Sequence, residues 1–425
     1  MIGFRRAVQA EISIILALLF CASAFAATVS SHKYAGTQKQ KIAENASAQK
    51  HISHVRHHRR SAASAQHATA AQSTAAPRRT VARVSRRRYS ERFHTSSFAN
   101  EQGLGDVTAG EDPVVRAAAL DALGNMNGTV VAIDPESGRI LAMVNQKLAL
   151  SGGAQPCSTF KVAVALAALN ENIVKKETMV SLGRGWEINL TKALAHSNNA
   201  YFEALGRRLG FEKVSYYAHE FGLGELAGWN IPGEHLGIFP SEELSAKLGG
   251  VGKMCSFGES IYLTPLQLGA LISSIANGGT LYYLQHPVTP EDIANFQPRV
   301  KRYLNIAPLI PEVSPGMAGA VEYGTARSVH ENFTEAPILG KTGTCSKDGT
   351  RFGWFASYAN TQYGRIVVVF FLEGGRSTFG PKAAELAGKF YRNLYQHDYF
   401  ADVVPLHHAS NTIPARQNTV APKEP

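Results

Sequence analysis

Ser158 and Lys161 are spaced as a nucleophile and its base would be. Residues three apart on a helix share a face, so in Pro156-Cys157-Ser158-Thr159-Phe160-Lys161 the amine can reach the hydroxyl. The run that follows, Val162-Ala163-Val164-Ala165-Leu166, is apolar and would carry its helix into a core. Burying a lysine there is costly unless the residue has a partner or a task. A serine hydroxyl is a poor nucleophile until some group takes its proton. Lysine can do so only when neutral, a state that burial and a neighbouring cation favour. The same spacing also fits a plain helix start, with Ser158 as N-cap and Lys161 reaching back to water. It recurs at Ser30/Lys33 and Ser47/Lys50, in a stretch without the apolar residues to build a site. Partners elsewhere in the chain must decide.

Two motifs follow in chain order, Ser197-Asn198-Asn199 and Lys341-Thr342-Gly343-Thr344. Taken singly, the first is a cap and turn between helices, and the second a strand with a glycine bulge. Taken together, a helix start, an interhelical turn and a strand carry the residue set of a serine acyl-transfer site. Cys157 is a rival nucleophile, but no His with Asn or Asp singles it out.

The elements that would position these residues are legible. Asp112-Pro113 opens a helix over 114–123 that Gly124 closes. Apolar runs at 129–134 and 139–144 flank Pro135-Glu136-Ser137-Gly138 as a β-hairpin. Helices over 190–196 and 199–209 break at the Ser197 turn, and another spans 211–221. Pro265 sits in the first turn of a helix over 264–277, and a further helix is expected over 315–329. Strands follow at 339–345, 352–359 and 365–372. The last is so apolar, Ile366 to Phe371, that it must be central and covered on both faces. A final helix over 381–395 would cover one of them. The expected class is α+β, one antiparallel sheet joining N- and C-terminal strands, flanked by helices, with an all-helical lobe between.

Charge is distributed unevenly. The 425 residues carry a formal +10, yet the stretch 27–100 alone holds fourteen Lys/Arg against two acids, so the rest of the chain is slightly acidic. That stretch buries too little apolar surface to offset its ordering entropy and reads as disordered. Arg5, Arg6 and the apolar run 12–26 ending Ala24-Phe25-Ala26 read as a secretory signal or membrane anchor. The basic blocks His57-His58-Arg59-Arg60 and Arg86-Arg87-Arg88 read first as a solvated tether; as a binding segment behind an export signal, they suit anionic lipid or an acidic wall polymer better than nucleic acid. The expected organisation is a signal or anchor over 1–26, a basic tether over 27–111, a folded domain over 112–399 and a tail over 400–425. Of four cysteines, Cys21 lies in the signal; Cys157, Cys255 and Cys345 allow three pairings. No metal-ligand set or cofactor motif is apparent.

With these motifs in order, residues 112–399 resemble the transpeptidase domain of penicillin-binding proteins, a fold shared with serine β-lactamases. The resemblance extends to Tyr262-Leu263-Thr264-Pro265-Leu266-Gln267-Leu268, Ala276-Asn277-Gly278-Gly279, Glu322-Tyr323-Gly324-Thr325-Ala326 and Gly353-Trp354-Phe355. It implies a serine D,D-transpeptidase that acylates Ser158 with a peptidoglycan stem peptide ending in D-Ala-D-Ala, and that β-lactams trap. Lys161 would be the base, Lys341 its neighbouring cation, and Ser197 the relay to the departing amine. Asn199 would hold the substrate backbone, Thr342 and Thr344 its terminal carboxylate, and the N–H groups of Ser158 and Thr344 the oxyanion. D,D-carboxypeptidase, β-lactamase and a non-catalytic β-lactam sensor are the alternatives. A Glu-x-x-Leu-Asn stretch of the class A β-lactamase kind is absent from the sequence, and Asn199 stands where class D enzymes carry an apolar residue. A sensor would need a transmembrane relay, and a single apolar segment is present. No glycosyltransferase domain is expected ahead of residue 112, so a separate one is the implied partner. The implied location is the periplasm or the outer face of the cytoplasmic membrane. Glu259 is assigned no role.

Overall fold

Asp112 starts the first helix as its sequence requires. The carboxylate accepts hydrogen bonds from Val114 N (2.9 Å) and Val115 N (3.0 Å), Pro113 takes the first turn, and Gly124 ends the helix at φ 56°. The computed structural model describes residues 92–183 and 185–400. The expected signal, most of the tether and the C-terminal tail beyond Phe400 therefore lie outside the described residues; Phe400 itself, expected in the tail, is buried in the core. Those described fall within one compact unit, Arg87–Pro425. None of their helices is long and apolar enough to cross a membrane.

In chain order the main elements begin with α1 (Pro113–Leu123), β1 (Gly128–Asp134), β2 (Arg139–Val144) and α2 (Lys161–Asn170). The helical lobe continues with α3 (Leu190–Ala195), α4 (Asn199–Glu220), α5 (Gly250–Phe257) and α6 (Pro265–Ala276). A ribbon of β3 (Thr280–Tyr282) and β4 (Val300–Tyr303) precedes α7 (Ile310–Glu322). Strands β5 (Ile338–Lys347), β6 (Thr350–Thr361) and β7 (Gly364–Gly374) lead into α8 (Gly380–Gln396). The sheet order is β2-β1-β7-β6-β5, antiparallel throughout, so the first and last strands of the domain pair directly.

The continuous apolar run of β7 is explained by its place at the centre of that sheet. Successive side chains point to opposite faces. Val367, Val369 and Phe371 join a core with α2, α6 and the helical lobe, while Ile366, Val368, Phe370 and Leu372 join a second core with α1 and α8. Strand β5, at the other extreme, is the sheet's edge and carries the third motif.

Three expectations need adjustment. The folded region begins before Asp112: Thr95 Oγ1 lies 2.6 Å from Thr350 Oγ1, Gly375 N donates to Ser97 Oγ at 2.8 Å, and Asp106 pairs with Arg116 at 2.7 Å. Residues 92–111 thus belong with the domain, and the tether boundary at 111 is placed too late. Their anchors are hydroxyls and charges, which an apolar pattern does not register. The helix expected over 315–329 runs instead over Ile310–Glu322, followed by a 3₁₀ turn at Arg327–Glu331. Pro311 takes its first turn, and Pro315 inside it removes a single i→i−4 bond. Just beyond its end Gly324 passes so close to α3 that a Cβ there would sit 2.2 Å from the Ala195 carbonyl oxygen. Finally, α4 runs on past Leu209 but is broken at Gly210 (φ 75°, ψ 161°), where the two expected helices divide.

Candidate active site

Ser158 lies on a 3₁₀ turn, Cys157–Phe160, that runs directly into α2. The N-cap positions of that turn and of α2 are Pro156 and Phe160, which removes the N-cap explanation for the serine. From Lys161 to Leu169 every residue of α2 is buried, as expected of a helix that is apolar all round. The snorkelling alternative fails as well, because Lys161 is 0 % exposed.

What Lys161 does instead is close the site. Its Nζ lies 3.0 Å from Ser158 Oγ, 3.1 Å from Ser197 Oγ, 2.8 Å from the Ser197 carbonyl oxygen and 2.6 Å from Asn199 Oδ1. The last two partners can only accept. A neutral amine has two N–H donors and one lone pair; the two acceptors take the donors, and the lone pair is left for a serine proton. Burial lowers the Lys161 pKa to about 6, and the positive charge of Lys341 adds to the effect against a smaller opposing pull from Glu203. Desolvation is therefore the first cause and the second cation the lesser one.

The Ser197 turn divides its work between neighbours. Asn198 caps α4 by accepting from Tyr201 N at 2.9 Å, so the cap reading of this motif is right for its middle residue. Ser197 is held in the left-handed region at φ 55°, and Ser197 and Asn199 are free to face Lys161. The price of such a conformation for a non-glycine residue is of order 1–3 kcal/mol, a cost found mostly where surrounding contacts over-determine the backbone.

Strand β5 presents alternate residues to this turn. Lys341, also 0 % exposed, donates to Ser197 Oγ and to the Thr342 carbonyl oxygen, both at 2.9 Å. Burial pulls its pKa down to about 7. Ser197 Oγ thus sits between two amines and can accept from one while donating to the other. Gly343 is needed for close approach: a Cβ there would be 2.8 Å from the Pro156 carbonyl oxygen. Cys345, next on the same face, is disulfide-bonded to Cys157. Of the three pairings open to the cysteines this one forms, and Cys255 remains a buried free thiol, its pKa raised by burial.

Thr342 and Thr344 point the other way along the strand and already have protein partners. Thr342 Oγ1 lies 2.6 Å from Thr325 Oγ1, and Thr344 Oγ1 accepts from Gly380 N at 2.7 Å. The Thr344 hydroxyl keeps its own proton to donate. Three contributors had no role in the sequence reading. Thr325 sits in the Glu322–Ala326 stretch noted above, without a chemical task evident from its type. Gly380 opens α8 and looks like an ordinary helix start. Gln155 fastens the nucleophile turn from behind: its carbonyl accepts from Trp354 Nε1 at 3.0 Å, and its Nε2 donates to the Phe257 carbonyl at 2.9 Å and to Glu259 Oε2 at 3.3 Å. Nothing in its local sequence announces that.

Residues 128–395 match the model of the penicillin binding protein transpeptidase domain. Stage V sporulation protein D of Bacillus subtilis is 28% identical over 317 residues, covering 62% of this chain and 48% of its own. Peptidoglycan D,D-transpeptidase MrdA of Acinetobacter baumannii is 24% identical over 373 residues, covering 69% of this chain and 55% of its own. The chain thus spans about half the length of these curated relatives. Among solved structures, Pseudomonas aeruginosa PBP2 in complex with WCK 5153 superposes with a TM-score of 0.56 at 23% identity, covering 68% of this chain and 77% of that one. A peptidoglycan glycosyltransferase from Burkholderia ambifaria gives 0.58 at 18% identity, covering 68% and 97%. Sharing the fold, the ordered motifs and a match over well over half its length, this chain belongs to the penicillin-binding protein transpeptidase domain family.

Proposed function

We propose that this protein is a serine D,D-transpeptidase that works on peptidoglycan stem peptides through an acyl-enzyme at Ser158. The observation that carries the reading is the buried Lys161 amine, 3.0 Å from Ser158 Oγ and engaged by two obligate acceptors. Ser158 Oγ attacks the carbonyl of the penultimate D-Ala while its proton passes to the Lys161 lone pair. The N–H groups of Ser158 and Thr344 hold the oxyanion. As the tetrahedral intermediate collapses, the C–N bond breaks and the departing D-Ala amine takes a proton through Ser197, which bridges the two lysines. Asn199, its Oδ1 fixed by Lys161, has its amide donors for the substrate backbone. Thr342, Thr344 and the Lys341 charge bind the terminal carboxylate. The acceptor amine of a neighbouring stem peptide then attacks the ester and releases Ser158. β-Lactams mimic the donor and stop at the ester.

This reading places the domain outside the cytoplasm, with the basic segment as its tether to anionic lipid or wall polymer and a separate glycosyltransferase supplying the glycan strand. Incubating the protein with a D-Ala-D-Ala pentapeptide, with and without an amine acceptor, tests it. The expected products are a cross-linked peptide and free D-Ala when the acceptor is present. D-Ala release at the same rate with no cross-linked product would make it a carboxypeptidase. Rapid turnover of penicillin without lasting adduct would make it a β-lactamase.

A further inference from the structure

The Cys157–Cys345 disulfide occupies a position that stability alone does not explain. Cys157 immediately precedes Ser158 and Cys345 immediately follows Thr344. The two residues whose N–H groups face the oxyanion in the mechanism above are thus each one peptide from the same covalent link. They come from segments separated by 188 residues, the 3₁₀ turn ahead of α2 and the edge strand of the sheet. An edge strand has no further strand to hold it on that side. Besides the bridge, the two segments meet at the Gly343–Pro156 close approach, while Trp354 reaches Gln155 from the neighbouring strand. Cys157 also holds a left-handed backbone, φ 53°.

An oxyanion hole works only while its donors stay within about 2.7–3.1 Å of one oxygen. Donors on two independent segments satisfy that only as well as the segments keep register. We propose that the disulfide is a positioning element of acyl transfer, locking the nucleophile turn to β5 so that both N–H groups address one oxygen. The inference rests on the acyl-enzyme reading and adds a requirement to it: acylation depends on the oxidised state of this pair. Cys255, buried in the helical lobe, takes no part.

The test compares the second-order rate constant for acylation by fluorescent penicillin in the full-length protein, oxidised and after reduction with tris(2-carboxyethyl)phosphine. A Cys157→Ala/Cys345→Ala variant is measured alongside. Only conditions under which circular dichroism matches the oxidised protein are used, and the titration of native protein with reductant serves if the variant does not fold. Reduced protein and the double variant are expected to acylate about tenfold or more slowly, less than the loss of a whole donor. The acid midpoint of the pH profile should not move, since Lys161 is untouched. Reoxidation should restore the rate, and reductant should have no effect on the double variant. A bridge with a merely structural role would lower the melting temperature and leave the acylation rate of folded protein unchanged, and that result would overturn the inference alone. Oxidised protein that never labels would instead overturn the acyl-enzyme reading and this inference with it.

Discussion

Ser158→Ala is expected to abolish covalent labelling by fluorescent penicillin while leaving the fold intact. The Ser158 hydroxyl hydrogen-bonds to Lys161 and Ser158 is the N-cap of neither the 3₁₀ turn nor α2, so removing the hydroxyl takes away the nucleophile and little else. Intact-mass spectrometry of wild type should show one added penicillin per chain, carried by the peptide containing Ser158. The other hydroxyl in reach, Ser197, is held by both lysines and lies on a left-handed turn. The proposed mechanism makes it the relay and not an alternative nucleophile, so no adduct should migrate to it in the variant. Labelling that persists in Ser158→Ala at the wild-type rate would mean that the acyl group forms elsewhere.

Substitution of Lys161 separates a base from a cation. Lys161→Ala should slow acylation by about 10³-fold, within the range for loss of a positioned general base, and should also leave Asn199 Oδ1 and the Ser197 carbonyl without their donor. Lys161→Arg keeps donors and charge but cannot give up a proton near neutrality. It is therefore expected to be as slow as the alanine variant. An arginine variant that retains a tenth or more of the wild-type rate would show that Lys161 acts through its charge. Stopped-flow measurement of acylation, with the unfolding midpoint of each variant as control, distinguishes these outcomes.

How far the sequence carried depends on the kind of signal. The sheet was legible because β7 is apolar without a break from Ile366 to Leu372, a pattern that only a doubly covered strand needs. The breaks at Gly124, Gly210 and the Ser197 turn were legible because each rests on a residue with a definite backbone role. The start of the folded region was not, since residues 92–111 attach through Thr95, Ser97 and Asp106 and leave no periodic trace. Nor was the start of α7, where two prolines within one helix pull the expected boundary toward the second. In the site, Ser158, Lys161, Ser197, Asn199 and Lys341 were legible as a set, because three weak spacings in fixed order reinforce one another. Thr325, Gly380 and Gln155 were not. They act through a hydroxyl partner, a backbone N–H and a backbone carbonyl, and residue type says little about such contacts. The cysteine pairing also needed three dimensions, for it depends on how close β5 comes to the nucleophile turn.

The central claim is that Lys161 is held uncharged by its surroundings so that it can take the Ser158 proton. The pH dependence of the acylation rate constant in the free protein tests it directly. Burial first, and Lys341 second, lower the Lys161 pKa to about 6. The active form is the deprotonated one, so the rate should fall about tenfold per pH unit below that midpoint and reach its maximum just above it, before the Lys341 charge that holds the substrate carboxylate is lost as pH rises through about 7. Lys341→Ala removes the neighbouring charge and should shift the acid limb toward higher pH. A limb with its midpoint near 6 that moves up in Lys341→Ala is the predicted result. A rate still climbing at pH 9, as an ordinary lysine with a pKa of about 10.4 would give, or one indifferent to pH between 5 and 9, would contradict the account.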